Sequence, residues 1–260
     1  MIDQTGLLRA YDEYVDTYRD EHGKLSEMMQ LKRFHTGEVV RNAMLVADGE
    51  GFSAEAREAT LAAALLHDTG RYEQLKIYNT FQDSESVDHA VFSHDIVRSH
   101  GWLERYCDNR HERRAVLEGV LHHNCRDLPE GLDELALTVA NAVRDADKLD
   151  IFRVAEERIR TTDWRKDLRA FWNLSPHAAP NPEVVRAIEA GLPVDYQHIR
   201  SLCDFILIQV GWMISGLVYE TSRRLASERG HLDFRRQFLH ELTDDPAIDR
   251  LCDLCQAKLG

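Results

Sequence analysis

Histidines and aspartates recur in this 260-residue chain where the surrounding pattern is apolar, and a polar group on a buried face is costly unless it is paired or binds a metal. At helical spacing His35 falls in line with Val39, Ala43 and Val46. The run Leu61-Ala62-Ala63-Ala64-Leu65-Leu66 leads directly into His67-Asp68. His89 shares a stripe with Phe92 and Ile96, His123 with Val116 and Val120, and Asp147 with Val139 and Val143. Neighbouring His122 sits beside Glu118 and Gly119, and His94 has Ala90 and Val97 on its face, so His123 ranks above His122 as an inward-facing group.

For any single histidine of this set, a core imidazole hydrogen-bonded to backbone is the simpler account. Five segments that each aim such a group inward call for another. Imidazole and carboxylate are the ligands preferred by Mn, Fe, Ni, Zn and Mg sites, and bringing three or more together in a core is hard to explain as packing alone.

The arrangement resembles the HD superfamily, in which a histidine, a later His-Asp doublet and a final aspartate bind a divalent metal inside a helical bundle. His35, His67-Asp68 and Asp147 match those positions. The runs His67-Asp68-Thr69-Gly70-Arg71-Tyr72, Asp88-His89-Ala90, His123-Asn124 and Arg144-Asp145-Ala146-Asp147-Lys148-Leu149-Asp150 further resemble a bacterial subgroup of uncharacterised HD hydrolases. The likeness spans roughly residues 30 to 155, and more weakly the C-terminal half. It implies one or two divalent ions (Mn, Fe, Ni, Mg or Zn) and hydrolysis of a phosphate mono- or diester, commonly in a nucleotide or a nucleotide-derived signal.

In that chemistry a divalent ion lowers the pKa of bound water from 15.7 toward roughly 7 to 9, so that hydroxide can attack phosphorus at neutral pH. Where relatives hold two metals, two further histidines between the doublet and the final aspartate complete the set, and His89 and His123 occupy those places. Asp68 would then bridge ions about 3.5 to 4 Å apart. With a single metal, His89 and His123 would contact substrate and one could protonate the leaving group. Arg71 and Lys148 follow ligand residues and are candidates for orienting phosphate oxygens, Arg71 through a bidentate fork; a salt bridge to a nearby acid is the alternative for each, with phosphate contact preferred for Arg71. The metal set is thus His35, His67, Asp68, Asp147, His89 and His123, and the catalytic set Asp68, His89, His123, Arg71 and Lys148. Asp83, Asp88, Asp145 and Asp150 lie close to these and either orient imidazoles or are solvated charges.

Two other functions fit the same residues. A diiron oxygenase would keep the six ligands and change the reaction. A non-catalytic nucleotide-binding regulatory module would keep the site and lose turnover, although degenerate modules of this kind usually lack one of the four residues present here.

The elements that must position these groups read as helical nearly throughout, because apolar residues recur at helical spacing and strand-like alternation is scarce. Helices are expected at about 4 to 20, 24 to 30, 36 to 49, 53 to 67, 86 to 100, 110 to 124, 132 to 148, 150 to 160, 182 to 190, 195 to 228 and 233 to 242. The fold class is all-α: one helical bundle over 1–260, with a metal-binding core at about 30–155 and a C-terminal extension at about 180–260 packed on the same core. Pro176, Pro180 and Pro182 mark a loop between the halves.

A formal charge of −13 opposes a polyphosphate backbone. The expected partner is therefore a small phosphate ester, a nucleotide, with no nucleic-acid polymer and no membrane; self-association into a homo-oligomer is left open. Met1-Ile2-Asp3-Gln4 opens no signal or transit peptide, and the uncharged run Phe205 to Tyr219 is too short and polar to span a bilayer. A cytoplasmic location is expected. Five cysteines in such a chain read as free thiols, and Cys252 and Cys255 as a CxxC pair half-buried on a terminal helix rather than a zinc or redox motif.

Overall fold

Side chains that satisfy the first free amides set where most helices begin. Asp3 accepts from the Gly6 amide to open α1 (Gln4–Asp16), Ser26 from Met29 to open α2 (Glu27–Gly49), and Ser53 from Ala56 to open α3 (Ala54–Leu66). After α4 (Gly70–Tyr78), Asp88 accepts from Ala90 and Val91 at the start of α5 (His89–His100), which ends on left-handed Gly101. There follow α6 (Trp102–Tyr106), α7 (Arg110–Leu121), capped by Asn109, and the long α8 (Glu134–Thr161). Beyond the proline-bearing loop come α9 (Pro182–Glu189), α10 (Leu202–Gly211), a π-helical turn at Trp212–Gly216, α11 (Glu220–Glu228), α12 (His231–Leu242) and α13 (Ala247–Leu259).

This computed structural model describes residues 1–167 and 171–259. Among them the fold is all-α, with no strand and only two isolated bridges, Ile2 to Cys107 and Ser175 to Ser201. No helix in the described residues is long and apolar enough to cross a membrane.

Several boundaries differ from the sequence expectation, each for a local reason. The stretches expected at 24 to 30 and 36 to 49 are one helix, α2, because nothing between them carries a breaker. Those at 132 to 148 and 150 to 160 are likewise one helix, α8. The stretch expected at 195 to 228 breaks up: Ser201 and Asp204 form a reciprocal capping box that starts α10 at Leu202, and the π turn ends its regular winding. Helices α4 and α6 were not among those expected; α4 starts on a glycine and α6 is only five residues long, so neither offers a readable apolar period, whereas α13 is the terminal helix expected to carry Cys252 and Cys255.

The chain falls into two compact units, Met1–Asp147 and Lys148–Gly260, the division lying within α8. In the first, α3 is alanine-rich because it runs between α2 and α7 at close range. Gly119 on α7 makes that approach feasible: a Cβ there would lie 2.8 Å from Val139 and 3.1 Å from Ala63. Val39, Ala43, Leu66, Val116, Val120 and Val143 complete the layer beneath the His-Asp doublet. Tyrosines of the same cluster brace the backbone that follows the doublet. Tyr14 donates to the Thr69 carbonyl, Tyr11 lies within hydrogen-bond distance of the Tyr72 hydroxyl, and Tyr18 donates to Glu73.

The second unit has its own apolar centre, including Phe152, Ile188, Leu207, Val210 and Leu239. Arg235 is 1 % exposed within it. A buried guanidinium is tolerable only when paired: it donates to Glu156, to Gln209 and to the carbonyls of Phe152 and His231. Cys252 and Cys255 are fully buried free thiols on α13, deeper than the half-buried placement expected.

Candidate metal centre

Helix ends deliver the central donors. α3 stops at Leu66, and His67 turns its Nδ1–H back to the Ala64 carbonyl at 2.8 Å. α7 stops at Leu121, and His123 turns its Nδ1–H back to the Val120 carbonyl at 2.7 Å. His89, on the first turn of α5, directs Nδ1–H to Asp83. With Nδ1 carrying the proton toward a carbonyl in His67 and His123, the Nε2 of each presents a bare lone pair to a common space, which His89 Nε2 also faces.

His35 from α2 and Asp147 from α8 close that space. His35 Nε2 is 3.4 Å from His67 Nε2 and 3.1 Å from an Asp147 oxygen. Asp68 stands between two pairs of rings. Its Oδ2 lies 3.6 Å from both His35 Nε2 and His67 Nε2, while its Oδ1 lies 3.6 Å from His89 Nε2 and 3.8 Å from His123 Nε2. Donors about 2.1 Å from a first-row divalent ion stand roughly 3.0 to 3.5 Å from one another; the His35 contacts with His67 and Asp147 meet that spacing, and the Asp68 contacts, at 3.6 to 3.8 Å, lie just beyond it. The donor set therefore fits such an ion: His35, His67 and Asp147, and likewise His67, Asp68 and His123, offer ligand atoms all within 4.8 Å of one another.

Electrostatics point the same way. Burial disfavours a charged ring, so the His67 pKa is lowered and that of His123, further depressed by His89 and His67, falls to about 3. Both rings are neutral near pH 7, as metal ligation requires. Burial alone would raise the carboxylates, yet neighbouring charges win. Lys32 and Arg71 hold Asp68 well below the usual carboxylate range, and the hydrogen bond with His35 does the same for Asp147.

All six sequence-derived metal candidates are thus gathered by the first unit. Arg71 reaches Asp68 through Nε at 3.5 Å, while its Nη1 donates to Gln74, Asp83 and the Phe81 carbonyl. Lys148 falls in the second unit, beside Gly216. His122 turns to Glu118 and His94 to Asp95, away from the cluster. Of the four acids left undecided, Asp83 holds His89 and Arg71, Asp88 caps α5 and accepts from Asn124, Asp150 pairs with Arg153, and Asp145 is buried.

Lys32 was overlooked by the sequence reading, although its ammonium lies 2.7 Å from Asp68 Oδ2. It sits in the charged doublet Lys32-Arg33, which reads as solvated surface; its signal is the three-residue spacing to His35, one turn along the same face. Arg33, by contrast, turns away to Asp12.

Residues 34–151 match the family model of the HD domain. No curated protein and no solved structure matches the chain.

Proposed function

We propose, from the premise that residues 34–151 carry an HD domain, that this chain hydrolyses a phosphate mono- or diester of a nucleotide or nucleotide-derived small molecule, in the cytoplasm. One observation carries the reading most directly: imidazole Nε2 atoms with their Nδ1 protons already committed face Asp68 from both sides. Bare lone pairs at such distances repel unless a cation sits among them.

We take the centre to hold two divalent ions, because the two oxygens of Asp68 face different histidine pairs. His35, His67, Asp147 and Asp68 Oδ2 would hold one; His89, His123 and Asp68 Oδ1 would hold the other. Ions so held supply Lewis acidity and lower the pKa of a coordinated water. The protein's part is orientation. Asp83 fixes the tautomer and direction of His89, as an outer-shell carboxylate does for a ligating imidazole. Arg71 is locked by three acceptors at Nη1, which leaves Nη2 without a hydrogen bond among the described residues and able to meet a phosphoryl oxygen. In the overall step, water oxygen bonds to phosphorus, the ester P–O bond breaks, and the leaving oxygen is protonated.

The test is a metal-by-substrate screen on purified protein, with Asp68→Ala alongside. Release of phosphate or nucleoside by the wild type, lost in Asp68→Ala, supports the reading. Turnover that survives the substitution removes it; iron-dependent oxygen uptake without ester hydrolysis would reassign the centre as an oxygenase.

A further inference from the structure

We propose that Lys32 is a part of the active centre with two alternating jobs: in the metal-free chain its ammonium neutralises Asp68, and once metal is bound it leaves that carboxylate to bind the phosphoryl group of the substrate. The inference rests on the hydrolase reading above and names a residue that reading does not use.

Asp68 is 3 % exposed, a carboxylate inside a ring of buried imidazoles from His35, His67, His89 and His123. A charge in that position needs a counter-charge. Lys32 provides it at 2.7 Å, on Oδ2, the oxygen that also faces His35 and His67. A divalent ion among those donors would share an oxygen with an ammonium, and like charges so close repel. One of the two must give way, and the four-carbon stem of lysine is the mobile partner.

Where it goes is limited by what surrounds it. The Lys32 side chain is 19 % exposed, so its head lies at the mouth of the cluster rather than in its floor. The ammonium lies 5.5 Å from the centre of the Phe81 ring, and the Arg71 guanidinium 5.7 Å from the same ring. Two cations on one aromatic platform, both now directed at Asp68, form a positive rim over the place where a phosphoryl group must arrive. Lys32 supplies a point charge there and Arg71 a fork. Together they favour the doubly charged terminal phosphate of a monoester over the singly charged group of a diester.

The experiment uses the full-length chain stripped with a chelator, titrated calorimetrically with Mn²⁺ and then, loaded, with inorganic phosphate. In Lys32→Met, Mn²⁺ affinity rises by about fivefold or more, because the competent state no longer competes with the Lys32–Asp68 pair. Phosphate affinity of the loaded variant falls by about tenfold or more, and Lys32→Arg recovers part of it. If circular dichroism shows that Lys32→Met has lost its helices, Lys32→Gln replaces it with the same expected directions. Unchanged or weaker Mn²⁺ binding, or phosphate binding within about twofold of wild type, overturns the assignment. A wild type that binds Mn²⁺ while the variants differ in neither respect overturns Lys32 alone; a wild type that binds no divalent ion overturns the hydrolase reading and this inference with it.

Discussion

The Nε2 atoms of His89 and His123 face each other at 2.9 Å while the Nδ1 proton of each ring is directed elsewhere, to Asp83 and to the Val120 carbonyl. Both Nε2 atoms are thereby turned into one space. Replacing either with alanine should therefore remove one metal position and spare the one formed by His35, His67 and Asp147. Elemental analysis of dialysed protein is expected to fall from two divalent ions per chain to one; a ratio unchanged in both variants would exclude these rings as ligands.

Asp83 should matter out of proportion to its distance from the substrate. It accepts from His89, from Arg71 and from Gln74, and these bonds outweigh burial to bring its pKa down to about 2. Asp83→Ala is expected to weaken metal binding or activity by about 10- to 100-fold with little change in helix content. Loss of less than about threefold would show that His89 keeps its orientation without Asp83.

Acid should destabilise the metal-free chain well before its carboxylates titrate. Burial places the folded pKa of His123 at about 3 against 6.5 for an ordinary histidine, and lowers that of His67 as well. Below pH 6.5 the unfolded chain binds protons that the folded rings refuse. Stability is thus full above that pH and falls as pH drops toward 3, by about 1.4 kcal/mol per pH unit for each ring inside its window. Urea midpoints at pH 7.5, 6 and 5 measure this directly, and a midpoint that holds constant across them would contradict it.

How much of this was open to sequence reading depends on what each residue's neighbours in the chain reveal. Apolar stripes expose the inward face of α2, α3, α7 and α8, so His35, His67, His123 and Asp147 declare themselves through residues three and four positions away. Lys32 and Asp83 do not. Lys32 sits in a charged stretch, and Asp83 lies in a short turn with no period, so their roles come from partners 36 residues away in one case and from a loop that folds back on α4 in the other. Helix α4 is hidden for a related reason, since its glycine start looks like a break and is required by close packing instead.

That packing can be tested at Gly70. Its amide donates to Ser93 Oγ at 2.8 Å, and an added Cβ would lie 2.7 Å from the Ser93 backbone nitrogen. Backbone cannot swing aside as a side chain can, so Gly70→Ala must separate α4 from α5. Thermal melting should report a loss of roughly 1 to 3 kcal/mol, accompanied by weaker metal binding because Arg71 and His89 sit on the two helices being separated. A variant as stable as wild type would mean the helices adjust freely.

Thiol chemistry offers an independent check on the second unit. Cys203 and Cys255 are buried and pushed up to about 12, and Cys107 and Cys252 are buried as well. A thiol reagent applied to the native protein should therefore modify Cys125 alone, and all five cysteines in denaturant. Rapid native labelling of Cys252 or Cys255 would restore a redox or metal role for that pair.

The short backbone bonds that fix His67 and His123 have a wider meaning. Each imidazole is aimed by a carbonyl three residues earlier in its own chain segment, one that the end of the helix would otherwise leave vacant. The aim of both rings is thereby independent of side chains elsewhere: residues around the cluster can be exchanged without turning either imidazole away from the space it faces.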